Sequence, residues 1–258
     1  MKIKQCYIPL HMRKKFSYFF KKYSLKDYQN PKLPSIFFSL WNKGALKKHK
    51  SFALIIWRGS EILKLGNKLA IFKKKKNIYH VAISSYIARD LEKYGIKYKY
   101  LPIVGLDMKY FKPCPLGKEI YTYIPSNFSS KYHPRYGMKI VNQIKKMCKY
   151  KININNSPTN FKRKKIIDIY KKCFCSLRMT KHDGLPNQVI EMGLMGRKSF
   201  YNGDIPGSIK WKKNNIDDIL ENIEKEAEKI GTTDTIYSKE ISNFIDIHDC
   251  WLNTDFWK

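Results

Sequence analysis

Residues 176–197 read SLRMTKHDGLPNQVIEMGLMGR, a stretch that carries the signals of a strand, a turn and a helix entered at a proline. The apolar run before it stops near Arg178, which predicts a strand end there. Asp183 and Gly184 then form a short loop, and Pro186 is expected in the first turn of a helix, where its missing N–H is no loss. A helix entered this way points the N–H groups of Asn187 and Gln188 at whatever lies in front, and such an end binds phosphate. Arg178 at the strand terminus suits a bidentate contact to the same group. Glu191 lies further into the helix, where a carboxylate suits a ribose diol. Taken singly, Asp183 reads as a helix cap and Glu191 as a surface glutamate.

Outward from this stretch, short apolar runs alternate with helical patterns, as in an α/β protein with parallel strands. Strands are predicted at Gln5–Pro9, Ser35–Ser39, Ala53–Trp57, Ile78–Ser84, Tyr98–Val104, Glu119–Ile124, Cys173–Arg178 and Ser199–Tyr201. The clearest helices are predicted at Ser85–Tyr94, Gly137–Tyr150, Phe161–Lys172, Asn187–Met195 and Ile216–Ile230. Two prolines in Phe111–Pro115 suggest a boundary between a domain of residues 1–113 and a second of 114–237. Residues 238–258 then form a helical tail whose aromatics need burial, either on their own domain or back across the first.

The chain has 258 residues and a net charge of +30, from 51 Lys+Arg against 21 Asp+Glu. Forty-four of the basic residues are lysine, and with abundant Ile, Asn, Tyr and Phe this is the usage of AT-rich codons, as in a viral, phage or AT-rich microbial gene. Codon usage does not account for the missing acids. Residues 1–113 hold 26 basic and 5 acidic residues, a net +21, whereas 114–258 hold 25 and 16, a net +9. The first half therefore either faces something anionic or carries a solvated lysine surface. The six cysteines, at 6, 114, 148, 173, 175 and 250, show no metal-ligand spacing and read as free thiols in a reducing compartment. With no signal core and no apolar run near the roughly 18 residues of a membrane span, the sequence reads as soluble and cytoplasmic, in the host cytoplasm if viral or phage.

The 176–197 stretch resembles the donor-binding motif of GT-B glycosyltransferases of the family 4 type, in which two acids stand eight positions apart around a G-x-P turn. Here those acids are Asp183 and Glu191, followed by a helix and a small-residue turn ending at Arg197. Residues 81–96 and 101–113, with the linker pattern G-x-D-x-x-x-F-x-P, look like the end of the family's N-terminal domain. Ile55–Ile62, IIWRGSEI, is similar to the family's H-G-S-D segment, with Arg58 where many relatives have histidine. There the resemblance implies that Gly59 and Ser60 approach the donor sugar and that Arg58 stabilises a departing phosphate; the plain alternative is an arginine in an exposed loop. Lys131 and Arg135 stand where relatives hold the diphosphate with basic residues, although 125–137 does not align cleanly with R-x4-K-G. His133 and His182 are assigned no role.

The resemblance thus implies an α/β, GT-B-like fold of two Rossmann-like domains, the N-terminal one shortened because only about 50 residues precede the Trp57 strand. It implies nucleotide-sugar-dependent transfer to a hydroxyl, with Asp183 and Arg58 as catalytic candidates. Glu191, Arg178 and the turn Gly184, Leu185, Pro186, Asn187 and Gln188 become donor-binding candidates. No D-x-D occurs, so no catalytic metal and no cofactor beyond the co-substrate are expected. The acceptor stays open between a modified DNA base and a glycan or lipid at an anionic membrane surface, and a non-catalytic nucleic-acid-binding relative is the reading from another class.

Overall fold

Ala53–Trp57 is apolar on every residue and fully buried, which suits a central strand covered on both faces. A computed structural model describes residues 1–9, 13, 16–39, 43–59, 61–69, 76–105, 107–124, 135–155 and 163–258. By internal contacts these form two units, one of Met1–Asp107, Asp183–Leu185 and Ile245–Lys258, the other of Met108–His182 and Pro186–Phe244.

The first unit runs β1 (Gln5–Tyr7), α1 (Ser17–Lys22), β2 (Lys26–Asp27), β3 (Ser35–Phe38), α2 (Lys43–Lys48), β4 (Ala53–Trp57), α3 (Glu61–Leu65), β5 (Ile78–Ala82), α4 (Ser85–Lys93) and β6 (Lys99–Tyr100). Its strands pair in parallel in the order β2-β1-β3-β4-β5-β6. Ser84 caps α4 by accepting from the Ile87 N–H, and Ile87, Ala88 and Leu91 bury the inner face. Three strands precede β4, so the early part of the domain is pared down to short elements rather than deleted. The strand expected over Tyr98–Val104 stops at Tyr100, because Pro102 brings no N–H to a ladder.

The second unit runs β7 (Glu119–Tyr123), α5 (Met138–Met147), β8 (Ile152–Asn155), α6 (Arg163–Lys171), β9 (Cys173–Leu177), α7 (Asn187–Leu194), β10 (Ser199–Phe200), α8 (Ile216–Ala227) and α9 (Thr235–Ile245). Its parallel order is β10-β9-β7-β8. Both sheets share the doubly wound start in which the first strand lies between the second and third, which makes a switch point beside it. In the second unit that point falls between β7 and β9.

The segment 238–258 is divided between the units. α9 lies in the second, while Ile245–Lys258 lies in the first and consists of two 3₁₀ turns, Asp249–Leu252 and Thr254–Trp257. A continuous helix does not form, because the His248 and Asn253 side chains each accept from the N–H two residues on and start a new turn. The two tryptophans are nonetheless buried: Trp251 packs against Tyr23 and Phe19 at centroid distances of 5.2 and 6.2 Å. Ile3 N–H donates to the Leu252 carbonyl at 2.8 Å, and Thr254 N–H to that of Met1 at 2.9 Å. No disulfide joins the six cysteines. Among the described residues no helix is long and apolar enough to cross a membrane, and no three His, Cys, Asp or Glu side chains gather as a metal site.

Within the first core, the Trp57 indole N–H donates to Nδ1 of buried His80 at 3.0 Å, and burial pushes the imidazole down to about 4 from 6.5. Between those values the unfolded chain holds a proton that the folded chain does not, so stability is full above about pH 6.5 and falls as the pH drops toward 4. Urea denaturation should show a loss of about 2 kcal/mol from this group between about pH 7.5 and 5. In His80→Gln, which keeps an acceptor for Trp57, that part of the pH dependence should vanish.

Candidate functional site

At the carboxyl end of β9, Arg178 extends the strand by donating its N–H to the Phe200 carbonyl at 3.0 Å. Its guanidinium lies 5.2 Å from the centroid of the Tyr136 ring. Tyr136 meets Tyr123, the last residue of β7, edge to face at 6.3 Å. Burial and Tyr136 raise the Tyr123 hydroxyl above its usual range, and the Arg178 charge pulls it back. Arg178 therefore stands at the ends of both strands that bound the switch point. The two tyrosines were not singled out from sequence, since isolated tyrosines in a Tyr-rich chain carry no signal.

Two helices start beside this point. α5 begins after Gly137, whose φ is +69°, and a Cβ there would lie 2.3 Å from the Met179 carbonyl oxygen. Only glycine allows the start of α5 to lie against the chain just beyond Arg178. α7 begins after Pro186, which is its N-cap rather than a first-turn residue: ψ is 119°, and the carbonyl accepts from Val189 and Ile190 N–H at 3.1 and 3.3 Å. Asn187 is exposed at the first helical position. The Gln188 side chain is buried; its amide donates to the Leu177 carbonyl at 3.2 Å, and Oε1 has no hydrogen-bond partner among the described residues. Any ligand contact by Gln188 is thus left to its backbone N–H.

Glu191 is half-buried, and its Oε2 accepts from the Tyr170 hydroxyl at 2.7 Å. Tyr170 packs edge to face on Tyr121 at 4.9 Å, and the Tyr121 hydroxyl accepts from Asn155 at 3.0 Å. Burial and the Glu191 charge hold the Tyr170 hydroxyl far above its usual range, so it donates to the carboxylate. The carboxylate is thereby fixed rather than solvated as a surface glutamate would be. Arg135 is exposed immediately ahead of Tyr136, and Lys131 lies outside the described residues.

The remaining candidates fall in the first unit. Arg58 follows β4 and is half-buried, its guanidinium 4.3 Å from the Phe16 centroid and 5.7 Å from that of Phe38. This excludes the exposed-loop alternative. Burial lowers it to about 10, partly offset by Glu61, so it stays charged at neutral pH. Glu61, not chosen from sequence, locks the loop: Oε1 accepts from the Arg58 N–H at 2.6 Å and the Ser39 hydroxyl at 2.8 Å. Gly59 has room for a Cβ if the Glu61 carboxylate gives slightly, whereas Ser60 lies outside the described residues. Asp183 Oδ1 accepts from the Gly184 N–H at 2.9 Å, and its carbonyl accepts from Ser84 Oγ at 3.3 Å. Gly184 is buried with its Cα against the Arg58 carbonyl, and Leu185 is buried beside it.

No protein-family model and no curated protein sequence matches the chain. Its fold is similar to that of sucrose-phosphate synthase from Thermosynechococcus elongatus, with a TM-score of 0.59 at 10% identity over 93% of this chain and 76% of that one. It is also similar to a mutant of S. aureus TarM solved with fondaparinux, alpha-GlcNAc-glycerol and UDP, with a TM-score of 0.52 at 11% identity over 94% of this chain. The chain spans about half the length of that TarM, 55%. Likeness at this identity is one of fold, and it agrees with two Rossmann-like units of the GT-B class.

A Cβ at position 184 would stand 2.0 Å from the Arg58 carbonyl oxygen, a clash with backbone that cannot turn aside. Gly184→Ala should therefore cost about 2 kcal/mol or more in denaturant melts, against less than about 1 kcal/mol for Gly59→Ala, whose Cβ meets only a movable carboxylate.

Proposed function

We propose that the chain is a nucleotide-sugar-dependent glycosyltransferase of the family 4 type that transfers a hexose or pentose to a hydroxyl with retention of configuration. The observation that carries this reading is in the second unit: α5 and α7 both start beside the carboxyl ends of β7 and β9, next to Arg178, with Glu191 fixed by Tyr170 within α7. Helix N-termini and a guanidinium suit a diphosphate, and a fixed carboxylate accepts two hydroxyls of a ribose. Open α/β sheets bind ligands at such a point.

In this reading Arg178 and the Asn187 and Gln188 N–H groups bind the diphosphate, with Lys131 and Arg135 as further cationic candidates. Asp183 serves the donor sugar or the positive charge that develops on it. Arg58, cationic and held by its aromatic neighbours, stabilises the leaving phosphate. Ser60 and Gly59 border the sugar, and the room at Gly59 is consistent with a substrate approaching there. The work of the chain is positioning and charge stabilisation rather than covalent chemistry. The fold likeness to a TarM solved with UDP makes UDP-sugars the first donors to test.

For the acceptor we favour a hydroxyl carried on a polyanion, a hydroxylated base of duplex DNA, because residues 1–113 carry a net +21. A glycan or lipid at an anionic membrane surface meets the same charge and is the rival.

Calorimetry with UDP-sugars should show Glu191→Ala weakening donor binding by about 1–3 kcal/mol, roughly tenfold to a hundredfold, with the fold retained by circular dichroism. Unchanged affinity would remove Glu191 from the site. Turnover on DNA with hydroxymethylated bases, but not on anionic vesicles or neutral glycans, separates the acceptors.

A further inference from the structure

The first unit carries a cavity of about 440 Å³ at the amino end of its sheet, a volume typical of small-molecule sites. It exists because β6 is short. β6 begins at Lys99, opposite Val81, so Ile78, Tyr79 and His80 of β5 lack a strand neighbour on that side. The cavity takes that place, and Trp257 from the last 3₁₀ turn walls it. Arg58 and Gly59 follow the carboxyl end of β4, so they and the cavity lie at opposite ends of one parallel sheet.

The chemistry of the lining is selective. Lys76, Lys97 and Lys99 supply three ammonium groups, and among the described residues no carboxylate or carboxamide side chain lines the space. The nearby acids are engaged elsewhere, Glu92 by the Tyr98 hydroxyl and Asp255 by Lys258. Lys99 is placed by its contacts, 3.9 Å from the Phe256 centroid and 5.4 Å from that of Trp257. Tyr79 stacks on Phe52 at 4.8 Å and lies 6.4 Å from Trp257, so the aromatic walls are held before any ligand arrives. His80 is only 5% exposed and lines the same cavity. Its Nδ1 accepts from Trp57, which puts the ring proton on Nε2, and Nε2 has no hydrogen-bond partner among the described residues. The ring thus brings one neutral N–H donor to the residues that line the cavity.

Clustered ammonium groups call for an anion, aromatic faces for a planar ring, and one neutral N–H donor for a carbonyl or nitrogen on that ring's edge. A sugar without such a ring would need carboxylate or amide side chains for its hydroxyls, and the described lining residues include none. We propose that this cavity binds a nucleotide unit. The base lies against Tyr79 and Trp257, His80 Nε2 donates to an acceptor on the base edge, and the phosphate meets Lys76, Lys97 and Lys99. The unit comes from a free nucleotide or from a nucleic-acid single strand, which share this chemistry. The site is separate from the donor reading above and stands without it.

The test titrates labelled oligothymidylate onto the full chain at several salt concentrations, with thymidine monophosphate and inorganic polyphosphate as competitors. The double variant Lys76→Glu/Lys97→Glu, changed at two exposed side chains, should bind about tenfold or more weakly and flatten the log affinity against log salt slope by about 1.4, roughly 0.7 per phosphate contact. Tyr79→Ala should lose about tenfold and Tyr79→Phe should keep its affinity. Glu191→Ala should bind the oligonucleotide as the unaltered chain does, so this result and the donor measurement fail independently. Competition by the monophosphate at concentrations equal in nucleotide units identifies a free nucleotide; a large excess requirement identifies a single strand. The proposal is overturned if the double charge reversal leaves affinity and slope unchanged. It is equally overturned if polyphosphate competes as well as the oligonucleotide while Tyr79→Ala binds normally.

Discussion

The guanidinium of Arg197 is fully buried, and it donates to the carbonyls of Tyr170, Cys173, Cys114, Pro115 and Met195. These acceptors end α6, start β9, enter β7 and close α7, four places where the chain enters or leaves regular structure. A lysine cannot replace it, because an ammonium group has neither the reach nor the planar fork to meet acceptors on so many sides. The same residue that Arg197 holds by its carbonyl, Tyr170, holds Glu191 by its hydroxyl. The candidate site is thus braced from the opposite end of the elements that carry it.

That bracing explains why a carboxylate at the edge of a helix is ordered. Glu191 is oriented by a hydroxyl whose own ring is packed on Tyr121, and Tyr121 is fixed by Asn155 at the end of β8. Two strands, β7 and β8, and the helix α6 therefore converge on one carboxylate of α7. The loop after β4 follows the same rule with different parts: Glu61 gathers the ends of β3 and β4, and Phe16 and Phe38 hold Arg58. Glu191 accepts from a tyrosine hydroxyl, and Glu61 from a serine hydroxyl and a backbone N–H, so both carboxylates are held by hydrogen bonds. This keeps an ionised group available without the cost of leaving it buried and unpaired.

The charge of the chain has two levels. Exposed lysine charges are screened within about 8 Å at physiological salt. At the amino end of the first sheet three lysines share a cavity with aromatic walls, and there the fold rather than composition concentrates them.

The alternation of parallel strands and helices, the central strand Ala53–Trp57, and the strand-turn-helix at 173–194 were legible in the amino-acid order, because local periodicity and proline chemistry act over a few residues. So was the flanking of one helix entrance by Asp183 and Glu191, since their spacing is covalent. β2, a two-residue strand of Lys26–Asp27, and the break of the tail into 3₁₀ turns were not legible, because neither has a periodic apolar signal. Long-range packing makes Pro186 a cap, turns the Gln188 side chain into the core, and rests Arg58 on aromatic rings. It alone brought Tyr170, Tyr136 and Glu61 to the charged groups, and His80 to a cavity. These are contacts between residues far apart in the chain, set by which strands lie side by side, and no pattern within a short window specifies that order.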